Sequence, residues 1–343
     1  AMRLLVKVFS ALLLLFLFAL ASVFLFLTQV LDPNDLKADI EATALYQGVP
    51  LKLRGDISWQ FFPQLGLQVE QVELATAGVS LLRAETLAAS VKVLPLLQGR
   101  VDVAGVLLKG AHIHALRDAQ GRVNWELSET SNASAPSDVK RASDTGPAGA
   151  LGSNKQLTLA IEQFRIEDAS VLFEDRQAGS RSQLEHWNLN ALNINFDGQP
   201  FSLEQDFVVR LDELPALRIN SRGEVDLNAV AGTLKLPSLR LTVATLDAPD
   251  ELLDLIVTGS AELEPLKPSL HLELAPMNLA VWLQALNIEL PDMAASDALN
   301  HLSLSAEITG ADAAWQLNDV DVSLDQTRVQ GRVAMQKRGA LTL

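Results

Sequence analysis

Cysteine is absent from this sequence, so no disulfide stabilises it, and neither thiol catalysis nor a cysteine-type zinc site is available. Basic residues are in deficit. The 27 lysines and arginines stand against 42 aspartates and glutamates, giving a net charge of −15. Binding a phosphate backbone needs a basic stripe, and none is visible, so nucleic acid is excluded as a partner. Aromatics make up 5% of a chain that is 48% hydrophobic. Its apolar content is therefore aliphatic. G-x-S-x-G, H-E-x-x-H and Walker patterns are all missing, and no pair of acidic residues stands out from a solvated face. Catalytic residues, metal ligands and cofactors are accordingly assigned to none of the chain.

What is present begins at the N-terminus. Val8 to Leu31 is a run of 24 residues without a charge. At a helical rise of about 1.5 Å per residue it reaches about 36 Å, enough to cross a hydrocarbon core of about 30 Å with some tilt. Ala19-Leu20-Ala21 has the small residues of a signal-peptide cleavage site, but the apolar run continues beyond it through Leu27. The sequence therefore predicts an uncleaved transmembrane helix. Arg3 and Lys7 precede it and Asp32, Asp35 and Asp39 follow, which puts residues 1–7 in the cytoplasm and the body outside it, in a bacterium the periplasm.

Beyond the span, DPNDLKADIEATALYQG carries a helix start, with Asp32 or Asn34 as cap and Gly48 as terminator. From Pro50 the period changes from 3.6 to 2. Leu192, Ile194 and Phe196 alternate with Asn193 and Asn195, and Leu239, Leu241 and Val243 with Arg240 and Thr242. Leu270, Leu272 and Leu274 alternate with His271 and Glu273, and the same holds around Val320 and Val329. These are antiparallel strands with one dry and one wet face, about fifteen in all. One further helix is predicted over residues 277–286. Residues 128–156, rich in Ser, Ala, Gly, Asp and Pro, read as a flexible loop.

His112 and His114 share one face of a strand, as an H-x-H metal pair would. Ala111, Ile113 and Ala115 take the other face, and no third nitrogen ligand lies nearby, so the pair reads as part of a greasy sheet. Gly105 and Gly110 interrupt the same apolar run and mark a bulge. The dry faces have two solutions, a closed sandwich or barrel and an open, curled trough filled by acyl chains. Periodicity alone does not separate them.

The residues also carry a resemblance. Asp32-Pro33-Asn34-Asp35-Leu36 after the apolar run forms the first block. Gly55-Asp56-Ile57-Ser58-Trp59 with Phe62-Pro63-Gln64-Leu65-Gly66-Leu67 forms the second. The third is Leu94-Pro95-Leu96-Leu97-Gln98-Gly99, then Val106 to Ile113 around Gly110, then Gly121-Arg122-Val123-Asn124-Trp125. These ordered blocks over residues 2–125 resemble AsmA-family proteins, and from Leu157 onward the similarity is one of style. The resemblance implies a mostly β fold: a transmembrane helix (8–31), a helix and β-sheet region (32–127), the loop (128–156), and a continuing β-groove (157–343). It implies a bacterial inner-membrane protein with a periplasmic body that shields or conveys phospholipid acyl chains in support of outer-membrane biogenesis, with envelope proteins as further partners. It transfers no catalytic residue. The chain stops at GALTL, mid-strand by pattern, and reads as a piece of a longer protein.

Lipid-lining candidates are the dry-face aliphatics Leu94, Leu96, Val106, Leu108, Ile113, Leu192, Ile194, Leu239, Leu241, Leu270 and Leu272. Trp59 and Trp125 close two of the blocks, as core aromatics or as covers of a groove entrance. Two rival functions follow from other classes. One is a structural or chaperone-like factor in outer-membrane protein assembly that carries no lipid. The other is an enzyme on envelope glycolipids or glycans, which requires clustered acidic or histidine residues in a cleft.

Overall fold

A computed structural model describes residues 32–46, 49–60, 64–76, 79–92, 94–95, 102–125, 160–212, 214–290, 298–311 and 314–336. The predicted transmembrane helix at 8–31 and the loop at 128–156 lie outside the described residues, as do Pro63, Leu96 and Leu97. Among the described residues no helix is long and apolar enough to cross a membrane.

The chain enters through a 3-10 turn, Pro33–Leu36, running into helix α1, Lys37–Tyr46. Of the two predicted caps, Asp32 serves: its side chain accepts from the Asn34 N–H at 2.9 Å. The strands of the first half are β1 (Leu51–Leu53), β2 (Ile57–Gln60), β3 (Leu65–Thr76), β4 (Val79–Val91), β5 (Val103–Lys109), β6 (His112–Arg117), β7 (Ile161–Asp175) and β8 (Ser180–Ile194). Those of the second are β9 (Asp197–Leu211), β10 (Leu217–Asn228), β11 (Thr233–Thr245), β12 (Leu253–Leu263) and β13 (Leu266–Met277). Helix α2 (Leu279–Ala285) follows, then β14 (Leu302–Ala311), β15 (Ala314–Leu324) and β16 (Thr327–Gln336). The predicted second helix is thus present, capped by Asn278 and burying Trp282.

All sixteen of these strands belong to one sheet. Its order follows the sequence, with β2 sharing the flank of β3 with β1, and β6 lying between β4 and β7 in line with β5. Fourteen positions at about 4.8 Å spacing make a ribbon about 60 Å across. The extensive contacts between elements run between hydrogen-bonded neighbours, or from the N-terminal helical turns to β1 and β2. Among the described residues all the strands are hydrogen-bonded into this one sheet, not divided between two.

The sheet is mixed, which corrects the all-antiparallel expectation. β7 pairs parallel to both β5 and β6. A hairpin cannot join parallel strands; they need a crossover of a dozen or more residues. The stretch between Arg117 and Ile161 is long enough to supply it, and it includes the low-complexity segment that the two-residue alternation does not reach.

A crease crosses the first half of the sheet. Gln71, Gly110, Asp168 and His186 all have positive φ, between 50° and 58°. Backbone bonds link this line: Glu85 N–H to the Gly110 carbonyl at 3.3 Å, and Gly110 N–H to the Glu167 carbonyl at 2.9 Å. Left-handed residues turn the strand and break strict alternation. The buried cluster forms at the crease, from Leu53, Ile57, Val72, Ala84, Ala111, Ile166 and Ala169. Ala111 is completely buried. Gly110, one of the two glycines read as a bulge, is where β5 gives way to β6.

Candidate functional site

Register across the sheet sorts side chains into faces, because directly paired residues point the same way and neighbours along a strand point oppositely. One row runs across fourteen strands: Ile57, Val69, Leu87, Leu108, Ile166, Leu189, Gln205, Ser221, Leu241, Leu255, Leu274, Leu304, Val322 and Val329. A parallel row on the same face runs from Trp59 and Leu67 through Val106, Phe164, Ala191, Leu203, Leu239 and Val257 to Leu272. The row between them, on the opposite face, includes Gln68, Arg165, Asn190, Glu204, Arg222, Arg240, Glu273 and Asp321. One side of the ribbon therefore carries mostly apolar rows, broken at Gln205 and Ser221, and the other carries cross-strand ion pairs such as Arg222 with Glu204, Arg240 with Asp254 and Arg210 with Glu185.

Of the sequence-predicted lining residues, Val106, Leu108, Leu239, Leu241 and Leu272 stand in these two rows. Leu270 follows on the same face two residues from Leu272, paired with Ile308. Ile113, beyond the crease, pairs with Leu82 and Val171. Three residues are placed elsewhere. Leu192 pairs with Gln163 and Ser202 on the polar face, while its neighbour Ala191, 2% exposed, takes the apolar position. Leu94 belongs to no strand and is 71% exposed. Ile194 pairs with Ile161 after Asn193, whose φ of 61° interrupts the alternation on which LNINF was read.

Motif residues near the N-terminus close the first edge of the sheet. The Asn34 side chain accepts from the Ile57 N–H at 2.9 Å and donates to the Ile57 carbonyl at 3.2 Å. Glu41 accepts from the Leu53 N–H at 2.7 Å and pairs with Lys52 at 3.1 Å. The Leu53 N–H and the Lys52 ammonium hold the Glu41 carboxyl below its ordinary pKa. A helix satisfying the bonding groups of β1 and β2 protects what is otherwise an open edge. Asn124, past the end of β6, binds back on that strand, accepting from Leu116 N–H at 2.8 Å and donating to the His114 carbonyl at 2.7 Å. Trp125 packs against Phe173, with ring centroids 5.9 Å apart.

His112 meets Ser170 at 2.6 Å and His114 meets Glu174 at 3.2 Å, both on the face opposite Ile113. No group of three or more metal-ligating side chains assembles among the described residues.

Sequence reasoning missed one feature of the apolar face. Gln205 and Ser221 occupy consecutive positions in the first row, directly opposite each other. The Trp187 indole N–H donates to Gln205 Oε1 at 3.1 Å. Ser221 is 3% exposed and its hydroxyl has no partner. The signal lay in LEQDFVV, where glutamine takes an apolar slot between Leu203 and Phe207.

The family model described as AsmA family matches residues 2–234. Among curated proteins, the chain is 25% identical over 195 residues to Protein AsmA of Escherichia coli (strain K12), a match spanning 54% of this chain. It covers 30% of that relative's length. No solved structure matches.

Proposed function

This chain belongs to the AsmA family, and we propose that it is a non-catalytic protein of the bacterial envelope, tethered by residues 8–31, whose apolar face shields phospholipid acyl chains in support of outer-membrane biogenesis. The observation that carries this reading is the unbroken register of the first row, aliphatic at twelve of its fourteen positions. Most of these aliphatic side chains are half-buried, and leaving the remainder of so long a strip to water is unfavourable unless something apolar occupies it. Hydrocarbon fits, each buried CH2 contributing about 0.8 kcal/mol. Movement along such a face needs no bond chemistry, because the free energy varies little from strand to strand.

Photo-crosslinking in cells tests the reading. A benzophenone amino acid at Leu241 or Leu274 should yield phospholipid adducts, and the same group at Arg240 or Glu273, on the opposite face of the same strands, should not. Equal labelling of both faces, or protein adducts alone at Leu241 and Leu274, would contradict it, and the latter would favour a factor in outer-membrane protein assembly that carries no lipid.

A further inference from the structure

We propose that Gln205 and Ser221 form a hydrogen-bonding step in the apolar face that receives the ester carbonyl oxygens of an acyl-chain lipid; this rests on the reading that the face holds such chains. The two residues are paired in register on adjacent strands. The same-face positions around them are Leu203, Phe207, Ile219, Leu239, Leu241 and Val243. None carries a charge.

The donor and acceptor inventory decides the ligand. An indole N–H can only donate, so Trp187 fixes the orientation of the Gln205 amide. The carbonyl of that amide is occupied by Trp187, and its NH2 has no protein partner among the described residues. Opposite it, the Ser221 hydroxyl is buried and unpartnered. A buried polar group without a partner is costly. What completes this step is therefore an acceptor that arrives with the ligand. A phosphate or carboxylate would be buried here without a counter-charge, which is strongly unfavourable. A neutral carbonyl meets both donors at no such cost, and its acyl chains extend over the leucines on either side. Diacyl lipids carry this group beside the headgroup, so the step would fix how far along the face a headgroup sits.

The test uses the full chain in detergent, incubated with an equal mixture of diacyl and dialkyl phosphatidylethanolamine of the same chain length, and read by native mass spectrometry. Ether-linked chains are equally apolar but lack the carbonyl. The wild type should retain the ester lipid in about five- to tenfold excess, the value of one or two buried hydrogen bonds. Ser221→Ala should bring the ratio towards parity without lowering the melting temperature, since it removes an unpartnered hydroxyl. Gln205→Leu should do the same to the ratio. Equal retention of both lipids by the wild type would overturn the step while leaving the apolar-face reading intact, and so would a preference that survives both substitutions. Retention of neither lipid would remove both.

Discussion

Gly110→Ala is the substitution whose cost the structure specifies most completely. Gly110 has φ +58° at the junction of β5 and β6, in the middle of the crease. An alanine held in the left-handed region costs about 1–2 kcal/mol. A Cβ there would also stand 2.5 Å from Glu85 Cγ and 2.7 Å from its Oε2, so the exposed Glu85 side chain must leave its rotamer, at about 0.5–1.5 kcal/mol. Together these give a destabilisation of about 1.5–3.5 kcal/mol. Urea denaturation of the full chain in micelles, followed by tryptophan fluorescence, reads it. The double substitution Glu85→Ala with Gly110→Ala separates the two causes, since it removes the steric part and retains the backbone part of about 1–2 kcal/mol. A single variant within about 0.5 kcal/mol of the wild type, the scatter of ordinary surface changes, would show that the crease is not held by this residue. Full recovery in the double variant would show that the left-handed backbone costs nothing.

Three other outcomes follow from the same coordinates. Asn34→Ala deletes both side-chain bonds to the Ile57 backbone; it should destabilise by about 1–3 kcal/mol and accelerate hydrogen exchange at the Ile57 amide first. Ala111→Leu forces a larger side chain into a completely buried position, so the loss should be about 1–3 kcal/mol by overpacking, visible as a lowered melting temperature. Hydrogen bonds from Arg328 and Gln330 lower the Asp321 pKa from 3.8 to about 2. A depressed carboxyl pKa stabilises the fold above the unfolded value and loses that contribution as pH falls from about 4 through 2. NMR titration of the Asp321 carboxyl should therefore show its midpoint returning towards 3.8 in Arg328→Ala, and an unchanged midpoint would assign the shift elsewhere.

Much of this was legible in the amino-acid order. Two-residue alternation identifies strands because the pleat sends successive side chains to opposite faces, so Leu239 with Leu241 and Leu270 with Leu272 are sorted correctly by local pattern alone. Capping chemistry is equally local, and Asp32 announces its helix. Alternation fails where a residue turns left-handed. Positive φ at Asn193 and Gly110 has no signature that period-2 counting can detect, and the register sets Leu192 opposite Gln163 on the polar face. The gathering of all the described strands into one sheet, the parallel docking of β7 on β5 and β6, and the meeting of Gln205 with Ser221 were decided only by tertiary structure. Which strand lies beside which is a long-range matter of register and chain crossover, whereas which way a side chain points along its own strand is a matter of its nearest neighbours.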